Sequence, residues 1–159
     1  MKIYLAGIID GEKIEQCREW RQQIIKVYSN WKNTGKNYGD VCFLNPLNGE
    51  DSISEDGMNS NIPPSAIFMK DYNAIRKSDL FIVNMDTYGS KRTNIGTIME
   101  IAFAYEAKIP ILMISTDEMH KKHPFVCSVV DCYFSSVDEL LEKKIINTFY
   151  KAFNSSPSE

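Results

Sequence analysis

Glu100 stands in GTIMEIAFAYE (96–106) among Ile98, Met99, Ile101, Ala102, Phe103 and Ala104, with no other charge between Arg92 and Glu106. A carboxylate in apolar company is costly to bury unless it has a partner or a task. TIME (97–100) fits the S/T-x-x-E capping box, with Thr97 as N-cap. An N-cap at Thr93 or Asn94 instead puts Glu100 one to two turns into the helix. Either way it lies near a helix N-terminus behind a strand, where the positive dipole end favours the ionised form. An ionised, partly desolvated carboxylate is what a covalent glycosyl-transfer nucleophile requires. Gly96 lets the backbone pass close to a ligand.

Asp71 is the second residue of this kind. Ile67, Asp71 and Ile75 are spaced i, i+4, i+8, so an aspartate lies on or beside the apolar face of a helix. It is a charge at the edge of that face, a partner for Arg76, or a second carboxylate whose environment splits its role from that of Glu100. Tyr4 alternates with Ile3 and Leu5 in an apolar strand and reads as core. Asp79 precedes a strand and reads as a turn residue. AGIIDG (6–11) carries two glycines, Gly7 and Gly11, but not GxGxxG, and is a weak signal for a ligand loop.

Alternating strands and helices must position these residues. Residues 2–8 read as a strand. Ile14, Cys17, Trp20/Arg21, Ile24, Ile25, Tyr28 and Trp31 mark an amphipathic helix over about 12–31. NTGKNYGD (33–40) is a turn-rich connection, and VCFLNP (41–46) is a short strand stopped by Pro46. Residues 48–65 hold almost no periodic apolar signal and read as a long loop. A second helix covers 66–77. DLFIVNM (79–85) is a continuous apolar strand, as expected when both faces are covered. A helix (94–107), a strand (109–115), a loop (116–123), the short apolar PFVCSVV, and a last strand CYF (132–134) follow. SVDELLEKKIINTFYKAF reads as one final amphipathic helix, with Ser136 and Glu139 as a capping box. This alternation predicts an α/β three-layer sandwich with a five-stranded parallel, flavodoxin/Rossmann-like sheet. One domain spans 1–153, and 154–159 form a frayed tail. Ligands of such folds sit beyond the carboxyl ends of the strands, so AGIIDG, DTYGSKRTN and TDEMHKKH are the loops of interest.

Bulk properties exclude several function classes. The net charge of −3 and scattered Lys and Arg argue against a nucleic-acid grip. No apolar run approaches the roughly 20 residues of a membrane span. Cys17, Cys42, Cys127 and Cys132 form no CxxC pair and read as free thiols of a reducing cytoplasm. His120, His123, Cys127 and Cys132 match no structural zinc pattern well.

IYLAG, the NP after the second strand, MKDYNAIRKSDLFIVN and GTIMEIAFA together resemble the nucleoside 2-deoxyribosyltransferase family, whose superfamily holds the nucleoside 5′-monophosphate N-glycosidases. The blocks cover most of 2–135 and keep the family's order. The resemblance implies that Glu100 is the nucleophile, forming a glycosyl ester with retention. It implies that Tyr4 holds Glu100 by a hydrogen bond and that Asp71 shuttles the proton of the base or contacts the sugar. Asn94, six residues before Glu100, would bond the sugar 5′ region, with Gly7, Asp79 and Gly96 as further substrate contacts. It implies no metal or organic cofactor, nucleoside and free nucleobase substrates, and a homodimer or higher oligomer with shared sites. The late loop that reaches a neighbour's pocket would be HPFVCSVV. It is apolar where the transferases carry asparagine, and Ser128 is its best polar candidate, as in the monophosphate hydrolases. GIIDGE lacks an arginine for a 5′-phosphate, and Asp10 and Glu12 would repel one. Free nucleosides are therefore expected as substrates. The 48–65 loop reads as a lid against water, whose exclusion separates transfer from hydrolysis. The alternatives are an N-glycosidase and a non-catalytic nucleotide-binding protein.

Overall fold

The computed structural model describes residues 1–29, 41–48 and 62–154. Most of the segment read as a lid (49–61), the 33–40 connection, Trp31 and the tail beyond 154 lie outside the described residues. The strands are β1 (Lys2–Gly7), β2 (Cys42–Leu44), β3 (Leu80–Asn84), β4 (Ile111–Ile114) and β5 (Cys132–Phe134). They form one parallel sheet in the order β2-β1-β3-β4-β5. Parallel neighbours need crossovers, and the helices supply them. These are α1 (Ile14–Ser29), α2 (Pro64–Arg76), α3 (Ile95–Glu106), the short α4 (Glu118–Lys122) and α5 (Pro124–Cys127), then α6 (Val137–Glu142) and α7 (Ile145–Asn154).

The side-chain period of two divides the strands between two cores. Ile3, Leu5, Leu80, Ile82, Leu112 and Ile114 pack with Trp20, Ile24, Leu140 and Ile146 of α1, α6 and α7. Tyr4, Ala6, Phe81, Val83, Ile111 and Met113 pack with Ile75, Ile101 and Ala104 of α2 and α3. The expected three-layer α/β sandwich is therefore the observed architecture. The strand order reverses between β1 and β3, and their last paired residues are Gly7 and Asn84. A crevice opens at such a switch point because the connections leave to opposite sides.

Several expected boundaries move. Gly11–Lys13 form a 3-10 turn capped by Asp10, whose Oδ1 accepts from Glu12 N at 2.9 Å, and α1 starts only at Ile14. α2 begins at Pro64, inside the stretch read as loop, because proline suits a first helical position. The expected single last helix is two helices. Lys144 takes φ 50° between α6 and α7, a left-handed break made without glycine. The Ser136–Glu139 box forms by half. Ser136 Oγ accepts from Glu139 N at 3.1 Å, but Glu139 Oε2 accepts from Ser135 N rather than Ser136 N.

Candidate active site

α3 starts at Ile95, with Asn94 as its N-cap residue. Thr97 is therefore the third residue of the helix, and the expected Thr97–Glu100 capping box does not form. Thr97, Ile101 and Ala104 make the buried stripe of α3, and Glu100 falls on its edge, between Thr97 and Ala104. That edge faces β1. Tyr4 points to the same side of the sheet because it alternates with Ile3 and Leu5, and its hydroxyl donates to Glu100 Oε1 at 2.7 Å. Phe81 of the neighbouring strand stacks on the Tyr4 ring at 5.6 Å, fixing its plane.

Glu100 is half-buried. One side opens on a cleft of about 630 Å³ whose lining includes Gly7, Asp71, Asn94, Gly96 and Glu100. Asp71 of α2 also lines an adjoining hollow of about 230 Å³ together with Tyr4 and Asn45. Protein atoms crowd the rest of the Glu100 carboxylate. Burial pushes its pKa up to about 7, the Asp71 charge adds to the rise, and the Tyr4 hydrogen bond and Arg21 oppose it. The Tyr4 phenol is held well above its ordinary value, first by burial and then by Glu100 and Asp71. It therefore stays a donor at every physiological pH. A carboxylate poised near neutrality, held by a phenol and open on one side, can act as a nucleophile or as a base.

Asn94 caps no helix N–H through its side chain. Its Nδ2 donates to Met85 O at 3.4 Å, and its Oδ1 is buried without a hydrogen-bond partner. Asp79 and Ser128 lie away from this chain's own cleft, Ser128 being the one expected to reach a neighbour's pocket. Asp79 stands at the amino end of β3, where its carboxylate accepts from Lys2 N at 2.7 Å and ties β1 to β3. Ser128 follows α5, which has carried the chain back to the amino ends of the strands. It lines a separate hollow with Tyr105 and Asp131, and its hydroxyl donates to Pro124 O at 2.7 Å. Among the described residues no group of three or more His, Cys, Asp and Glu could hold a metal ion. No described helix is long and apolar enough to cross a membrane.

Several solved structures share this arrangement of strands and helices. The chain is 18% identical to a 2-deoxyribosyltransferase of Bacillus psychrosaccharolyticus, covering 88% of this chain and 90% of that one, with a TM-score of 0.58. It is 19% identical to the CMP N-glycosidase BcmB of Clostridium botulinum over 92% and 99% of the two chains, with a TM-score of 0.53. A conserved protein of Enterococcus faecalis gives 17% identity over 92% and 98%, with a TM-score of 0.64. The chain shares their fold. The first two carry the two activities that the sequence blocks resemble. No protein-family model and no curated protein matches the chain.

Within this shared fold the site includes groups that residue types alone did not single out. Lys91 and Arg92 line the cleft beside Gly7 and Asn94. The loops after β1 and β3 are tied where Ser90 Oγ donates to Asp10 Oδ2, and Ser90 Oγ also accepts from Arg92 N at 3.0 Å. Asp10 is 3% exposed and is held below its ordinary pKa, chiefly by the Ser90 hydroxyl. Asp10 thus keeps its negative charge, tied to Ser90 and within Coulombic reach of Arg92. Its carboxylate is turned inward and engaged, and Glu12 is not among the cleft residues. The other overlooked residue is Arg21, which is fully buried beneath Gly7. Its signal was present, since an arginine at i+4 from Cys17 and i−3 from Ile24 sits inside the apolar stripe of α1.

Proposed function

We propose that the protein cleaves the N-glycosidic bond of a nucleoside through a covalent intermediate on Glu100 and passes the sugar to a second base. The observation that carries this is the Tyr4–Glu100 hydrogen bond at the floor of an open cleft that Asp71 also lines. In the first step a Glu100 oxygen bonds to the anomeric carbon as the carbon–nitrogen bond breaks. The departing base keeps the electron pair and takes a proton from Asp71. In the second step a nitrogen of the incoming base attacks the same carbon, Glu100 leaves as carboxylate, and the proton returns to Asp71. Two inversions give retention. Asn94 and Gly96 bracket the sugar at the N-terminus of α3. Ser128, remote from its own chain's cleft, serves the cleft of a second copy.

One observation favours a second reading. Lys91 and Arg92 line the cleft, so the substrate carries a 5′-phosphate that these two cations receive, and water takes the place of the second base. One assay separates the readings. The protein is incubated with deoxyinosine, with and without adenine, and in parallel with deoxynucleoside 5′-monophosphates, and the bases are followed by chromatography. Deoxyadenosine formed only when adenine is present supports base exchange. Free base without an acceptor, faster from monophosphates, supports hydrolysis. No turnover of any of these substrates sinks both readings and leaves a binding protein.

A further inference from the structure

The cleft has a second lobe. The hollow of about 230 Å³ opens beyond the carboxyl end of β2 and shares Asp71 with the main cleft. Tyr4 lines the hollow and Glu100 lines the cleft, so this hydrogen-bonded pair stands at the boundary between the two. A sugar whose anomeric carbon meets Glu100, with its 5′ end towards Asn94 and Arg92, fills the main cleft. Its base must lie within reach of Asp71 and therefore enters the hollow. Phe43 and Leu44 give that hollow apolar surface for a flat ring.

The polar groups of the hollow set donors beside one acid. Lys70, one residue before Asp71 on α2, places its Nζ 3.9 Å from Asp71 Oδ1 and donates to Pro46 O at 3.2 Å. That bond ties α2 to the loop after β2 and fixes the ammonium beside the acid. An ammonium carries three N–H donors and no acceptor, so it can hold Pro46 O and serve a ligand oxygen, but never a ligand N–H. Asn45 also lines the hollow, and its Oδ1 accepts from Leu47 N at 3.0 Å, which leaves its amide Nδ2 as the end that can donate. A 6-oxopurine presents O6 and N7 side by side, both acceptors, whereas adenine carries an amino donor in place of O6.

We propose that Lys70 is a specificity-determining residue: its ammonium donates to O6 of a purine whose N7 takes the proton of Asp71, so 6-oxopurine nucleosides, such as deoxyinosine and deoxyguanosine, are preferred to deoxyadenosine. This rests on the reading of Glu100 as nucleophile and Asp71 as proton shuttle. When the bond from the anomeric carbon to N9 breaks, its electron pair goes to N9 and the Asp71 proton goes to N7. The base leaves neutral, and Asp71 is left as carboxylate. Lys70 keeps its protons throughout and holds O6 by a hydrogen bond. Deoxyadenosine turns its amino group against the ammonium, donor to donor, and loses that contact.

The test compares the full chain with Lys70→Met, which removes the donor, and Lys70→Arg, which keeps one. Lys70→Gln, whose amide can donate or accept, is a second neutral variant should Lys70→Met fail to fold, as circular dichroism would show. Deoxyinosine and deoxyadenosine compete in one mixture, with 6-methylpurine as common acceptor, and chromatography gives the ratio of their kcat/KM values. Free hypoxanthine and adenine are titrated by calorimetry in parallel, a readout that needs no turnover. The parent should favour deoxyinosine and hypoxanthine by about tenfold. The neutral variants should bring both ratios within about twofold by losing the oxo compound, and Lys70→Arg should keep the preference. A parent without the preference overturns the proposal. Equal weakening of both purines in the neutral variants also overturns it, since that marks a lysine that only fastens Pro46. If no nucleoside turns over, the calorimetric ratio decides. Full turnover by Glu100→Gln would instead sink the nucleophile reading and leave the base ratios as they stand.

Discussion

At the scale of single residues, the site rests on one carboxylate tuned by neighbours that pull in opposite directions. Glu100→Gln keeps the shape and the acceptor for Tyr4 but cannot form a stable ester. Turnover should fall by about three orders of magnitude or more with the fold intact, as steady-state kinetics and circular dichroism would show. Tyr4→Phe removes the hydrogen bond that favours the ionised carboxylate. Glu100 then titrates above its present value of about 7, and less of it is ionised at neutral pH. The acid limb of kcat/KM should move up and neutral activity should drop about tenfold. Asp71→Asn removes a like charge, so the same limb should move down, while loss of the proposed proton shuttle lowers the maximum. Opposite displacements in these two variants, read from pH–rate profiles, would establish that both groups act on Glu100. Displacement in one direction for both would refute that arrangement.

At the scale of elements, two loops and one glycine set the cleft. Gly7 has φ +155°, and a Cβ there would stand 2.9 Å from Asn84 O and 3.2 Å from Trp20. Gly7→Ala should cost about 1–3 kcal/mol in a denaturant titration. Gly96→Ala should fold as the parent does, since a Cβ there meets nothing within 4 Å. Arg92 is held at the cleft by the Asp10–Ser90 tie. Arg92→Ala should raise KM for deoxynucleoside monophosphates about tenfold and leave that for nucleosides unchanged, a difference initial-rate measurements would detect. Equal effects on both substrates would remove the phosphate reading. Most of this layout was legible in the chain itself. Short continuous apolar strands alternating with period-3.6 helices announced the sandwich, and Glu100 isolated in apolar company, with Asp71 beside an apolar face, pointed to the two carboxylates that line the cleft. The rest depended on contacts between distant segments. Asp10 looked like an exposed acid because its partner, Ser90, lies 80 residues away. Asp79 entered the expected site only through the family resemblance, since a residue just before a parallel strand stands at its amino end, away from the cleft. The break at Lys144 had no glycine to mark it.

At the scale of the whole molecule, the switch point between β1 and β3 brings side chains of β1 and α2 around one carboxylate of α3, and this sets activity against stability. The sign follows from linkage. Glu100 in the unfolded chain titrates at its ordinary value of 4.5, and in the folded protein at about 7. The group's raised folded value favours the native state fully below 4.5, and this contribution is lost as pH rises through about 7. Above that, Glu100 is ionised in its crowded site, which is the form the proposed chemistry needs and the form the fold disfavours. Glu100→Gln has no such titration. Its melting temperature relative to the parent should therefore be close to the parent's at pH 4.5, rise between pH 4.5 and 7, and level off above, as thermal scans across that range would record. A difference that does not vary with pH would mean that Glu100 ionises as easily in the folded protein as in the unfolded chain. The site would then lack the desolvation on which its reactivity rests.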